Sequence, residues 1–421
     1  MSKPTPHLRA CLLALGLLFG WTSASPATAG EVGEQVLGDI FSFVAANKLG
    51  AERLGAFMRD YGMQDLGALA EVVQGLSEKA MRDAIRAIPD GEYRSTITNN
   101  PLGEKISYPV LVKVEDDAIT VDFDGAPPQL PQGGLNATMN YTAAHATYPL
   151  KCMLTPTVRG NAGCYRPFTV KAPEGSILNC TYPASVNIRT RTGWYLAPNI
   201  FQALAEARPG DVQAFTGLAV ASTVYGQDAD GAFYSDMLFC GGGQGGSERG
   251  DGHSALLWPT SAANTSIELM ESRAPILVEE KALVADTGGA GRHRGGLGQR
   301  VVFRKLVADG RMTLASVFPE GVNNPIPGLF GGQHGGMASG KVLACDDTLI
   351  EDCGTGKLVE LHTPGERVEL MLGGGAGYGD PSERDVALVQ RDLRLGYVTR
   401  DYVRRFHPSA LTAPPEMAAT A

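Results

Sequence analysis

The sequence predicts an α+β fold with a helical N-terminal part, a mixed central part and a β-rich C-terminal part whose turns are rich in glycine. Three observations carry that expectation. Apolar residues recur at helical spacing through residues 33–92, with Val36, Leu37, Ile40, Phe41 and Val44 as the first set and Leu69, Val72, Val73, Leu76, Met81 and Ile85 as the last. Beyond residue 211 the period shortens to that of strands, in many short apolar runs. Glycine and proline separate those runs, which is the punctuation of a β-sandwich or barrel-like unit.

The elements follow in order. The helices of residues 33–92 break at Tyr61-Gly62 and at Pro89-Asp90-Gly91. The mixed segment, residues 104–210, opens with strands at 106–114 and 118–123, joined by a turn at Glu115-Asp116-Asp117. A buried helix at 136–154, a short strand at 167–171 and a helix at 194–207 complete it. The β-rich segment, 211–380, holds expected strands at 217–224, 231–239, 276–285, 300–306, 311–317, 340–344, 357–361 and 367–372. C-terminal helices occupy 381–408, the first starting near Glu383 with Ser382 in front of it as a cap.

Composition narrows the function. The chain has 421 residues, 43% of them apolar and 19% charged, so a sizeable core is expected. Lys and Arg number 36 against 45 Asp and Glu, a net −9 that argues against a nucleic-acid surface. Residues 1–29 carry Lys3 and Arg9, an apolar run from Cys11 to Trp21, and Ala27-Thr28-Ala29. That pattern reads as a secretory signal cleaved after Ala29, too short for a spanning helix; a buried helix or a leader brought in by a misplaced start are the alternatives. Without Cys11 six cysteines remain, an even number that permits disulfides in an oxidising compartment or simply marks small buried residues.

Glycine is the outlier, 53 residues or about 13% against an average of roughly 7%. Clusters at 241–246, 288–298, 331–340 and 373–379 imply tight turns and close backbone approach. The first cluster matches G-x-G-x-x-G, but residues 247–253 are not helical, so a dinucleotide fingerprint is rejected. It reads either as a loop whose amides meet a ligand or as a structural turn. Residues 335–342 resemble a P-loop, with Val342 where the magnesium-binding Ser or Thr belongs. No H-x-x-x-H, H-E-x-x-H or G-x-S-x-G occurs.

The densest chemistry lies in Asp286-Thr287-Gly288-Gly289-Ala290-Gly291-Arg292-His293-Arg294-Gly295-Gly296-Leu297-Gly298. Arginine forks suit carboxylate or phosphate, so Arg292 and Arg294 are expected as anion or subunit contacts; the alternative is an exposed turn whose arginines pair with carboxylates such as Asp286. Asp251, His253, Asn264, Glu268 and Asp286 are the candidate catalytic residues, with Asp251 and His253 as an acid–base or positioning pair.

That loop, together with Asn264-Thr265-Ser266-Ile267-Glu268-Leu269-Met270-Glu271 and Gly374-Gly375-Ala376-Gly377-Tyr378-Gly379-Asp380-Pro381, resembles the hydantoinase B/oxoprolinase family. So do Val121-Asp122-Phe123-Asp124-Gly125, Asn161-Ala162-Gly163 with Arg166-Pro167, Ala172-Pro173-Glu174-Gly175-Ser176, and Ala84-Ile85-Arg86-Ala87-Ile88-Pro89-Asp90-Gly91. The resemblance runs in order from about Val36 to His407.

The resemblance implies a subunit that works with an ATP-using hydantoinase A-type partner to open a cyclic amide, or to carboxylate a ketone. The partner phosphorylates a carbonyl or enolate oxygen, and this subunit handles the activated intermediate in a cationic, water-controlled pocket. ATP would thus reach the reaction through the partner, in a hetero-oligomer, and no cofactor is assigned to this chain. The family's Asn-Asp-Pro and His-His-x-Asp segments, its expected divalent-metal ligands, have no counterpart here. The chain therefore reads as the C-terminal part of a family member, either an exported paralogue or a gene fragment. A cytoplasmic enzyme subunit and an exported, non-catalytic binding or assembly module are the two readings that follow.

Overall fold

The computed structural model describes residues 26–412, apart from Ala229, Ser261 and Asp309. The leader expectation for residues 1–29 falls almost wholly outside these. The chain divides into two units, residues 1–73 with 230–233, and 74–229 with 234–421.

In the first unit a 35-residue helix, α1 (Pro26–Asp60), and the start of α2 (Gly67–Ile85) form where apolar residues recur at helical spacing. Phe41, Phe43, Val44 and Tyr61 stand exposed on α1 and just after it. No helix among the described residues is long and apolar enough to cross a membrane.

The second unit starts from a four-stranded sheet in the order β1 (Gly91–Asn99), β2 (Ile106–Glu115), β3 (Ala118–Asp122), β4 (Phe168–Lys171). β2 alternates strictly, with Tyr108, Val110, Val112 and Val114 buried. Helices α3 (Met139–Leu154) and α5 (Leu196–Ala203) supply the rest of this core, after a short α4 (Thr190–Gly193). Strand β1 was not anticipated, since its alternating face is half polar and carries little hydrophobic signal.

On α3, burial pulls the His145 pKa down to about 4, and its ring packs against Tyr141 at 4.4 Å. The folded value lies below the usual 6.5, so the stability tied to neutral His145 is full above pH 6.5 and fades as pH falls toward 4. Unfolding midpoints measured across that range should drop by an amount equivalent to about 2 kcal/mol, and His145→Phe should flatten the curve.

The C-terminal strands form the expected sandwich. One sheet runs β11 (Leu349–Asp352), β10 (Ser339–Leu343), β13 (Arg367–Met371), β8 (Gln299–Lys305), β7 (Ile276–Leu283). The other runs β12 (Lys357–Leu361), β9 (Thr313–Val317), β5 (Val220–Gln227), β6 (Phe233–Cys240). Val301, Phe303 and Leu370 of the first share a core with Val224, Val317 and Leu361 of the second. Helices α6 (Ile267–Arg273), α7 (Val386–Arg394) and α8 (Arg400–Phe406) complete the fold. Asp385 caps α7, and Asp380 caps the single 3-10 turn ahead of it, so the helix begins after the expected Ser382 start. The six cysteines are unpaired.

Apart from Gly331 in its exposed turn, most glycines of these clusters are packed against neighbouring backbone. Segments 213–217, 241–247, 251–256, 287–298, 328–336 and 373–379 lie beside one another, joined by backbone hydrogen bonds. Gly243 N–H donates to the Gly373 carbonyl at 3.0 Å while its own carbonyl accepts from Gly217 N–H at 2.8 Å. Gly375 N–H donates to Gly296, Gly296 to Gln244, and Gly289 to Gly375, at 2.7–2.9 Å. An ideal Cβ on Gly375 would overlap the Gln244 carbonyl, and one on Gly243 the Gly296 carbonyl. Glycine is required here because backbone packs directly on backbone. This also explains why β5 starts at Val220 rather than 217: the backbone ahead of it belongs to the bundle.

Candidate functional site

The amides of 241–246 settle the open question about that loop. Those of Gly243, Gln244 and Gly246 donate to the carbonyls of Gly373, His253 and Ala376, and Gly245 donates to Thr216 Oγ1 at 3.1 Å. These four face other protein segments rather than a ligand.

At one end of the bundle the fold brings Asp251, Arg292 and Arg294 together with three residues that sequence reasoning did not single out, Arg384, Arg391 and Asp392. Arg384 grips Asp251 with both arms, Nη1 to Oδ1 at 2.6 Å and Nη2 to Oδ2 at 2.8 Å, and its Nη2 also reaches Asp392 at 2.8 Å. Arg294 Nε donates to Asp392 at 3.0 Å, its Nη1 to the Gly295 carbonyl at 2.6 Å, and its backbone N–H to Asp251 at 2.8 Å. Arg391 touches both carboxylates from the exposed side, at 3.4 and 3.2 Å.

Arg294 and Asp392 are almost completely buried, so this is a desolvated ion lattice whose charges compensate one another. Burial raises the Asp251 carboxyl, but the Arg384 fork and the Arg294 amide outweigh it and hold the pKa below the usual carboxylate value. The arginine fork expected to meet an anion is, for Arg294, already engaged inside the protein. Arg292 pairs with Glu248 at the partly exposed rim, beside His293, whose pKa burial pushes down. Arg292→Ala should therefore change stability by no more than about 0.5 kcal/mol. Arg294→Ala, which removes one of the cations around the buried Asp392, should cost about 3 kcal/mol in a urea titration.

The remaining predicted residues lie apart. Asp286, at φ 65°, accepts from Thr399 N–H and Oγ1, both at 2.7 Å, and so anchors the start of α8 instead of pairing with the arginines. Asn264 accepts from Gly241 N–H and Gln299 Nε2 and donates to the Ala255 carbonyl, tying the bundle to β8. Glu268 is exposed on α6, where the Ser266 hydroxyl lowers its pKa. His253 is exposed, and no hydrogen bond joins its ring to Asp251, whose oxygens the arginines hold. Among the described residues no three His, Cys, Asp or Glu side chains converge as a metal site, so the donor set present does not fit the divalent ion that the resemblance implies.

A second polar cluster is wired differently. Arg191 of α4 and Glu320, in the loop after β9, form an ion pair at 6% and 4% exposure, and Arg191 Nη2 donates to the Thr355 carbonyl at 3.0 Å. Tyr195 donates to Glu320 at 3.4 Å and stacks on Tyr108 at 6.3 Å; Asn99 Nδ2 donates to the Arg191 carbonyl at 3.4 Å. Burial pushes the Tyr195 phenol up to about 12 and pulls Arg191 down to about 10. Burial also raises the Tyr108 phenol, a rise that nearby Thr192 and Asn99 partly offset. Tyr108 Oη is shut off from solvent, with the Thr192 and Asn99 side chains as its polar neighbours. Sequence reasoning passed over Arg191 and Glu320, because the only local signal is a charged residue inside otherwise apolar surroundings.

The family model described as hydantoinase B/oxoprolinase matches residues 24–381. The chain belongs to the hydantoinase B/oxoprolinase family. The B component of a candidate D-/L-hydantoinase from Pseudomonas sp. (strain NS671) is 31% identical over 391 residues, covering 87% of this chain and 63% of that relative. A 5-oxoprolinase of Saccharomyces cerevisiae is 26% identical, covering 82% of this chain and 27% of the relative. The crystal structure of the ATP-dependent caprolactamase from Pseudomonas jessenii superimposes on 93% of this chain and 68% of its own, with a TM-score of 0.79 at 26% identity. The chain thus spans less than two thirds of the length of the hydantoinase component it matches.

Two motifs on which the family likeness of this chain rests, 286–298 and 374–381, are segments of the glycine bundle, whereas Arg191 and Glu320 lie outside those motifs.

Proposed function

We propose that this chain is the B-type part of an ATP-dependent cyclic-amide hydrolase and acts with a hydantoinase A-type partner that uses the ATP. The observation that carries the reading is the match over residues 24–381, strengthened by the likeness to a caprolactamase along nearly the whole described chain. Partner-driven phosphorylation of the amide oxygen would turn a resonance-stabilised ring into one with a good leaving group. This chain would then hold the activated ring away from bulk water.

The test is reconstitution. Chain and partner, mixed with ATP and a panel of lactams, hydantoins and 5-oxoproline, should give ring-opened product and ADP, and neither component should do so alone. Ring opening by the isolated chain without ATP would overturn the reading, and incorporation of labelled bicarbonate into a ketone would move it to the carboxylase branch. The mass of the mature N-terminus tests the export expectation: a chain beginning at Gly30 in a periplasmic extract favours the exported module, and an intact cytoplasmic Met1 counts against it.

A further inference from the structure

We propose that α1 joins two copies of this chain, lying antiparallel to its counterpart about a two-fold axis at Asn47. The pairing goes beyond the cyclic-amide reading and needs neither ATP nor a hydantoinase A-type partner. Every residue of α1 from 38 to 54 is exposed, Phe43 at 66% and Val44 at 61% among them. A helix in a folded protein draws most of its stability from packing an apolar face. An apolar face of this extent left in water marks an interaction surface.

That face matches itself. Val36, Ile40, Phe43, Ala51, Leu54 and Met58 lie 4, 7 and 11 residues to either side of Asn47. At 3.6 residues per turn, all six fall within about 40° of Asn47 around the helix. An antiparallel pair centred there sets Val36 of one copy opposite Met58 of the other, Ile40 opposite Leu54, and Phe43 opposite Ala51. Val44 comes opposite Gly50, around which there is open space. Bulky side chains thus meet small ones, as the close packing of two identical faces requires. Asn47 meets itself on the axis. Its amide both donates and accepts, and a single asparagine in an apolar seam fixes the register.

Charge sets the direction. Asp39 and Arg53 lie along the same edge of the stripe, while Lys48, Glu52, Arg59 and Asp60 occupy the other side of the helix. Antiparallel pairing brings Asp39 of one copy alongside Arg53 of the other, whereas parallel pairing would set each beside its own like charge. The area suffices as well. Ile40, Phe43, Val44, Leu54, Phe57 and Tyr61 are 37–69% exposed. With Asn47 and Ala51 they offer on the order of 700 Å² per copy, and a standard interface takes about 800 Å² from each partner.

Sedimentation equilibrium of the full chain, with neither partner nor ATP, provides the test. Wild type should be a dimer at about 10 μM. Phe43→Asp should weaken association about a hundredfold, since each copy loses a central side chain, and should leave the melting curve unchanged. Ala51→Phe sets a second ring against Phe43 and should give a monomer; adding Phe43→Ala exchanges the large and small sides and should restore the dimer. Asn47→Cys should cross-link to its own counterpart under mild oxidation, as mapped by peptide mass, and Glu52→Cys should not. A wild-type monomer up to about 100 μM, or a dimer indifferent to Phe43→Asp, would overturn the proposal. So would a chain that is monomeric alone and loses a hydantoinase A-type partner on Phe43→Asp, which assigns the face to that partner. Failure of the Phe43→Ala, Ala51→Phe double variant to re-form the dimer would rule out antiparallel pairing at Asn47.

Discussion

Gly375→Ala is expected to cost about 3 kcal/mol or more, and Gly375→Val to prevent folding of the sandwich unit. The added Cβ meets the carbonyl of Gln244, a backbone atom that is itself held by Gly296 N–H at 2.7 Å. A side chain in that place could rotate away, but the backbone cannot move without breaking bonds to several segments at once. Urea unfolding followed by circular dichroism reads the loss. Gly310→Ala is the control, because open space surrounds that glycine in its surface turn; the cost there is confined to the strain of a residue at φ 71°. Equal effects at the two positions would mean that the bundle is not backbone-packed.

Asp392→Ala should be the most damaging substitution among the charged residues. It leaves Arg294 and Arg384 buried around a missing carboxylate, a situation that costs about 3–5 kcal/mol. Asp392→Asn keeps the shape but not the charge and should fall between. Acid adds a graded version of the same experiment. The Asp251 pKa is lowered in the folded protein, so its contribution is present above pH 3.8 and is lost as pH falls through the lower folded value. Asp251→Asn should flatten that acid limb, and an unchanged limb would show that the lattice does not govern acid stability.

Much of the fold was legible because its signals are local. The β2–β3 hairpin, α3 and most sandwich strands announced themselves by period and by their turns, since side-chain alternation is set by the backbone itself. β11 was harder to see, being four residues long with little burial. The glycine clusters were legible as places of close backbone approach. What they approach was not, because a glycine carries no side chain to indicate its neighbours.

The candidate site divided along the same line. Asp251, Arg292 and Arg294 were visible as charged residues among glycines, and the fold does gather them. Whether their charges face a ligand or one another depends on Arg384, Arg391 and Asp392, which sequence places about ninety to one hundred and forty residues away. The linear chain by itself thus determined the family, the α+β class and the positions of most elements, since these follow from patterns within a few residues. Only the tertiary structure decided that Arg294 of the glycine loop joins an internal ion lattice and that Arg191 and Glu320 meet as a buried pair. Burial and hydrogen-bond partnership arise from atoms brought together across the chain, and no local pattern encodes them.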